Sequence, residues 1–285
     1  MELPSGAFAP IPTPLDDGGR VDTAALRRHL ELLEAGGLDG TLVLGTNGEF
    51  PSFDVGERLA VAEAAARHRG RLRLMLGIGA CALPEALRMV RAARPLGFDA
   101  ALLPPPFYFR SASVEGLAEF ILAVLDAAEL PVLLYHIPQV TGIPISDALL
   151  DAVADHPRFG GVKDSSGSRE ELARFTCRLH DRSVMVGHDS LVTLALASGG
   201  AGSITAAASV VPELVVATQR DPARQPELDA VRALLERFGL GPAVKAILRH
   251  RGVGAYRTRP PLVGLDEDAA GRLIQELDGL LATFA

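Results

Sequence analysis

Lysine is almost missing from this chain: Lys163 and Lys245 stand against twenty-six arginines in 285 residues. Cysteine is nearly as scarce. Cys81 and Cys177 are too few for a disulfide framework and neither lies in a CxxC pair, so both are expected as buried thiols. Long apolar runs are missing too, because proline and glycine interrupt each one well short of a membrane span. The first ten residues carry no basic region ahead of an apolar stretch, and the expected location is the cytoplasm. There is no excess of positive charge. A net charge of −7, a pI near 5.5 and no run of five like charges argue against a nucleic-acid surface or a charged tail. No internal repeat or low-complexity segment is present. What remains, 48% hydrophobic and 22% charged, suits one α/β barrel or two smaller domains.

Given that scarcity, the position of Lys163 needs a reason. It ends the apolar run Phe159-Gly-Gly-Val162 and opens Asp164-Ser-Ser-Gly167. An arginine stays protonated and cannot add to a carbonyl carbon, whereas an amine that loses its proton can. Burial at the end of an interior strand disfavours the ammonium form, which makes Lys163 a candidate Schiff-base nucleophile. The plainer alternative is a lysine that snorkels to the surface or pairs with a carboxylate.

Short apolar runs alternate with segments of helical period. Strands are expected at 7–12, 40–44, 72–76, 100–103, 131–135, 159–163, 183–186 and 201–205. Helical patterns fall between them, at about 22–36, 56–68, 84–93, 113–127, 169–180 and 191–197. Strands each followed by a helix pair in parallel under helical cover. Eight such units fit a (β/α)8 TIM barrel over 1–220 better than an open doubly wound sheet, and Gly77-Ile-Gly79-Ala-Cys-Ala82 lacks the third glycine of a dinucleotide loop. Beyond 220 the strand signals cease. Helical stretches at about 225–238, 242–250 and 266–283 predict a C-terminal helical extension over 221–285.

Barrel active sites lie at the carboxyl ends of the strands, and polar residues collect there. Strand two runs into Gly45-Thr-Asn-Gly-Glu49, strand four into Pro104-Pro-Pro-Phe-Tyr108, strand five into Tyr135-His136, strand six into Lys163-Asp164, strand seven into Gly187-His-Asp-Ser190, and strand eight into Ile204-Thr205. Cys177-x-x-His180 lies in a helical pattern without the further ligands of a zinc site, so it is read as structural. The Gly199–Gly202 loop has no basic residue beside it and is read as a backbone feature, not a phosphate site.

Five motifs in order carry a resemblance over nearly the whole chain: Gly-Thr-Asn-Gly-Glu at 45–49, Tyr-His-Ile-Pro at 135–138, Gly-Val-Lys-Asp-Ser at 161–165, Gly-Gly-Ala-Gly-Ser-Ile-Thr at 199–205 and Gly-Pro-Ala-Val-Lys at 241–245. The chain resembles the dihydrodipicolinate synthase and N-acetylneuraminate lyase superfamily of pyruvate-dependent class I aldolases. The resemblance implies that Lys163 forms an imine with pyruvate or another 2-keto acid, and that an aldehyde is the second substrate. It gives Lys245 a structural role. It implies that Tyr135 is acid and base, that Thr46 passes protons to it, and that the amides of Asn47 and Gly48 hold the substrate carboxylate. The plainer readings are a core tyrosine and an ordinary glycine turn. His188, Asp189 and Ile204 would lie near the aldehyde, although Asp189 could equally cap a helix. Tyr108 is the nearest match to an aromatic hydroxyl that relatives supply from a neighbouring subunit, or else a plain interface aromatic. The resemblance further implies a homotetramer built as a dimer of dimers, with no metal and no cofactor beyond the covalent imine.

The chain also departs from the family pattern. Val140 stands where dihydrodipicolinate synthases carry an arginine that grips the semialdehyde carboxylate, and a valine cannot pair with a carboxylate. Asn47 replaces the second threonine of Gly-Thr-Thr-Gly-Glu, and Val55, Arg58 and Cys81 occupy positions of the lysine feedback site. The expected activity is therefore a lyase acting on a 2-keto-3-deoxy sugar acid or a 4-hydroxy-2-oxoglutarate-like acid. Dihydrodipicolinate synthesis, dehydration of a keto-deoxy sugar acid through the same imine, and a binding protein without turnover are the alternatives.

Overall fold

A computed structural model describes residues 2–284. Eight parallel strands close into a barrel in sequence order: β1 (Gly6–Pro10), β2 (Gly40–Val43), β3 (Arg73–Gly77), β4 (Ala100–Leu103), β5 (Val132–His136), β6 (Phe159–Asp164), β7 (Ser183–Val186) and β8 (Gly202–Ile204), with β8 pairing back to β1. The expected TIM barrel is thus the observed fold, and closure leaves no strand edge exposed.

Strand alternation sorts the side chains into two cores. Phe8, Leu42, Met75, Leu102, Leu133 and Met185 fill the barrel interior. A larger cluster, including Leu74, Leu76, Val132, Leu134, Val162 and Val184, packs against the surrounding helices. Each such side chain taken fully from water contributes about 1.5–3 kcal/mol. The same alternation decides the chemistry. Tyr135 and Lys163 are register partners on β5 and β6, and Lys163 is in turn partnered by Met185 on β7. These positions face inward. Their successors His136 and Asp164, also register partners, turn toward the helix Arg169–Arg178, where His136 Nε2 lies 3.2 Å from Glu171.

Helices begin where the sequence supplies caps. Asp54 and Glu57 form a reciprocal capping box at the start of Val55–Arg67. Ser113, Ser146 and Ser168 cap the helices Val114–Asp126, Asp147–Val153 and Arg169–Arg178. Besides the single turn Pro138–Thr141, two helices were not anticipated, Asp147–Val153 and Pro212–Arg220. The first is seven residues long, follows a Pro- and Gly-containing stretch and buries only Leu149, Leu150 and Val153. The second runs up to residue 220, where the barrel was expected to stop.

Three helices follow, Gln225–Arg237, Leu240–His250 and Glu267–Thr283. Arg232 on the first pairs with Asp189 at 3.1 Å, and Lys245 on the second pairs with Glu49 at 2.5 Å. No described helix is long and apolar enough to cross a membrane. The cysteines correct their expectation. Cys81 is half-buried in the loop after β3, and Cys177 is exposed because it lies on the outer face of its helix.

Candidate active site

β2 ends one residue earlier than its apolar run, because Leu44 enters the left-handed region at φ 60°. Glu49, at φ 54°, does the same five residues later. Two non-glycine residues in this conformation, bracketing Gly45–Gly48, store strain of about 1–3 kcal/mol each. The surroundings hold them there. Thr13 Oγ1 donates to the Gly48 carbonyl at 2.7 Å, and the Glu49 amide donates to the Thr46 carbonyl at 3.0 Å. The buried Lys245–Glu49 pair anchors the end of the turn, and Lys245 also donates to the Arg257 carbonyl at 3.1 Å. A side chain at Gly77 would collide with the Leu44 carbonyl, so glycine is required beneath the turn. The amides of Thr46, Asn47 and Gly48 have no acceptor among the described residues. Such a run of free backbone donors at a tight turn suits a carboxylate.

The turn overhangs a cavity of about 610 Å³ at the carboxyl ends of the strands. Thr46, Asn47, Tyr135, Lys163, His188 and Ile204 all line it. Lys163 is 3% exposed, with its amine 4.3 Å from the centre of the Tyr135 ring and no carboxylate within 4 Å among the described residues. Thr46 Oγ1 donates to the Tyr135 hydroxyl over a long 3.4 Å. Burial alone would push the Tyr135 phenol up. The charge of Lys163 and the hydrogen bonding of Thr46, Ser165 and Lys163 outweigh it and hold the phenol below its ordinary value.

The loop after β6 is built by its serines. The Ser165 amide donates to the His136 carbonyl at 2.8 Å, the Ser166 amide to Asp164 at 2.9 Å, and Gln139 reaches across to the Ser165 carbonyl at 2.6 Å. A side chain at Gly187 would collide with Ser165 and crowd Lys163, so the glycine after β7 clears room for the amine. Behind the site, burial drives His136 down to about 4 and raises the Asp164 carboxyl.

One expected substrate ligand is placed differently. Asp189 is wholly buried off the cavity wall, bonded to Arg232 and accepting the Ala207 amide at 3.2 Å. It cannot touch substrate, because the turn after β7 alternates, presenting His188 to the cavity and Asp189 to the helix Gln225–Arg237. Gly48 is off the wall too, and what it offers is its backbone amide, the group expected to hold the carboxylate. Tyr108 is 76% exposed and outside its own chain's cavity, next to the similarly exposed Phe109. Ser165, Gln139, Arg232 and Glu236 line the cavity and were not anticipated. Ser165 was within reach, since it closes the Gly-Val-Lys-Asp-Ser motif. Arg232 and Glu236 lie on a helix whose sequence gave no sign that it faced the barrel mouth.

A closed parallel barrel thus gathers a buried lysine, a tyrosine and a strained turn at the carboxyl ends of its strands. The family model for the dihydrodipicolinate synthetase family matches residues 3–279, and the chain belongs to that family. It is 40% identical to an uncharacterised DapA-like lyase of Chloroflexus aurantiacus over 99% of each chain. It is 34% identical to a 4-hydroxy-tetrahydrodipicolinate synthase of Methylococcus capsulatus, over 74% of this chain and 72% of that one. The crystal structure of a chloride-inhibited dihydrodipicolinate synthase from Acinetobacter baumannii, complexed with pyruvate, superimposes with a TM-score of 0.90 at 27% identity, over 97% of this chain and 98% of that one. The protein is an enzyme of the lyase class.

Proposed function

We propose that this lyase joins or cleaves a carbon–carbon bond between pyruvate and an aldehyde through an imine on Lys163, acting on a 2-keto-3-deoxy sugar acid or a 4-hydroxy-2-oxoglutarate-like acid. The observation that carries the reading is the Lys163 amine, buried beside the Tyr135 hydroxyl with no carboxylate partner among the described residues. The amine adds to the keto carbon, and the former carbonyl oxygen leaves as water, giving a protonated imine. In cleavage, Tyr135 takes the proton of the C4 hydroxyl, the C3–C4 bond breaks, and its electron pair moves toward the imine nitrogen to leave an enamine. The aldehyde departs. Protonation of the enamine at C3 and addition of water then release pyruvate and free Lys163. Thr46 relays protons to Tyr135, and the amides of the 46–48 turn hold the keto-acid carboxylate. The protonated imine is the electrophile, so the reaction as written uses neither metal nor cofactor.

In this reading the protein works in the cytoplasm as a homotetramer, a dimer of dimers, and Tyr108 of a second copy approaches the site. Dihydrodipicolinate synthesis is the second reading, favoured by the named activity of the Methylococcus relative. Val140 weighs against it, because it places 54% exposed valine where a semialdehyde carboxylate needs a cation.

Borohydride reduction in the presence of pyruvate, followed by peptide mass spectrometry, tests the imine. The expected result is one adduct on Lys163 in the wild type and none in Lys163→Ala. Absence of any wild-type adduct at saturating pyruvate refutes the mechanism. Condensation of pyruvate with aspartate semialdehyde as the preferred reaction would replace the first reading with the second.

A further inference from the structure

The two ends of the catalytic cavity differ in character. One end opens into an apolar lobe of about 320 Å³ walled by Phe50, Pro104, Phe107, Ile137, Val140 and Leu262. The other is closed by the helix Gln225–Arg237, which presents Arg232 and Glu236, one turn apart, beside His188. This second end is heavily organised. Arg232 is 8% exposed, and its Nη1 donates to Asp189 at 3.1 Å. Its Nε and Nη2 both donate to Glu236 Oε1, at 2.8 and 2.6 Å. Gln225, on the same helix, ties it to the turn after β7 by donating to the Asp189 carbonyl at 3.0 Å.

Arg232 and Asp189 are withdrawn from water, which costs free energy that a neutral, well-packed wall would not cost, while the Glu236 side chain stays about half exposed. The arrangement does hold one arginine and one carboxylate in a single pose at a cavity wall. Capacity remains on both. Arg232 uses three of its five N–H groups, and no described side chain hydrogen-bonds Glu236 Oε2. Nδ1 of His188 is buried with no hydrogen-bond partner among the described residues. Burial, and then the charge of Arg232, keep His188 below its ordinary imidazole value despite Asp189, Glu236 and Asp229, so near neutral pH it adds no charge. Asp189 and Glu236 both pair with Arg232, and Asp229 also bears on His188, so carboxylates outnumber the one guanidinium at this end.

We propose that Arg232, Glu236 and His188 form the specificity site for the aldehyde, and that it selects a neutral, hydroxylated tail over a carboxylate or hydrocarbon one. A hydroxyl both donates and accepts, so it can give its proton to Glu236 while accepting from Arg232. A carboxylate can only accept, and it would face an excess of negative charge. A hydrocarbon tail would strip water from the cluster and return no hydrogen bonds. Asp189 anchors Arg232 from behind without meeting substrate. The inference rests on the imine reading and narrows it to sugar-like aldehydes.

The test is steady-state aldol formation from pyruvate with glyceraldehyde, succinic semialdehyde or butanal, with borohydride trapping of the pyruvate adduct in the same preparations. The wild type should prefer glyceraldehyde, and this order tests the charge argument without any variant. In Glu236→Gln the preference for glyceraldehyde over butanal should fall about tenfold, as for loss of a charge-assisted hydrogen bond, mainly through KM. The disadvantage of succinic semialdehyde should shrink. Adducts on Lys163 together with a wild-type preference for succinic semialdehyde or butanal, or an unchanged preference ratio in Glu236→Gln, overturn the specificity site and leave the imine standing. Absence of adduct in the wild type overturns both.

Discussion

The two lysines of this chain are buried to nearly the same depth, 3% and 2% exposed, in opposite electrostatic settings. Lys245 is held by Glu49 at 2.5 Å and by the Arg257 carbonyl, so its amine is spent on tying a C-terminal helix to the turn after β2. Lys163 has an aromatic face, a phenol and a cavity, and no carboxylate within 4 Å among the described residues. An amine held by a carboxylate and a backbone carbonyl is a strut. One left without a counter-ion beside a proton-carrying hydroxyl is equipped for chemistry, and what separates them is the company each keeps.

Substitution should break the pair in opposite ways. Lys163→Ala is expected to abolish turnover, by more than ~10⁴-fold in kcat for the loss of the covalent route, with little change in thermal stability. Lys245→Ala should leave Glu49 buried and unpaired and cost about 3–5 kcal/mol of stability, read by denaturant unfolding. A large loss of stability in the first, or none in the second, would dissolve the contrast. Tyr135→Phe keeps the ring beside Lys163 and removes the proton carrier. Its kcat should drop about 10²–10⁴-fold, while the pyruvate adduct on Lys163 stays trappable. Equal loss of adduct and turnover would instead assign the hydroxyl to imine formation.

The smallest expected effect lies on the outward faces of the same strands. Burial lowers His136 from its ordinary 6.5 to about 4. Between those values the unfolded chain binds a proton that the folded chain does not. Stability should therefore be fully present above pH ~6.5 and fall as pH drops toward 4, by roughly 3 kcal/mol at most for this group. His29, buried and also lowered to about 4, adds in the same direction. Thermal melts of His136→Gln across this range should show a shallower slope than the wild type, and an identical slope would exclude His136 as a source of acid sensitivity.

Much of this architecture is legible in the sequence. All eight strands were found within two residues of their observed bounds, because a parallel barrel strand is buried on both faces and reads as a short continuous apolar run. The helix Asp147–Val153 was missed for the complementary reason, since seven residues with three buried positions make too short a period to stand out. Thr46, Asn47, Tyr135, Lys163, His188 and Ile204, picked as strand-end residues, do converge on one cavity. Asp189 does not. A one-residue difference in position is invisible to a motif, yet at the end of a strand it moves a side chain from the cavity to the seam behind it.

The sequence by itself determined the barrel and marked Lys163 as the candidate amine, because strand and helix periods are local and because one lysine among many arginines, at the end of an interior strand, narrows the chemistry. Only the tertiary structure decided which charges meet. Glu49 with Lys245 is a pair 196 residues apart along the chain, and Asp189 with Arg232 is 43 apart. Their pairing follows from how the C-terminal helices pack on the barrel mouth. Electrostatic pairing depends on distance in space and on burial, and neither is written in local sequence.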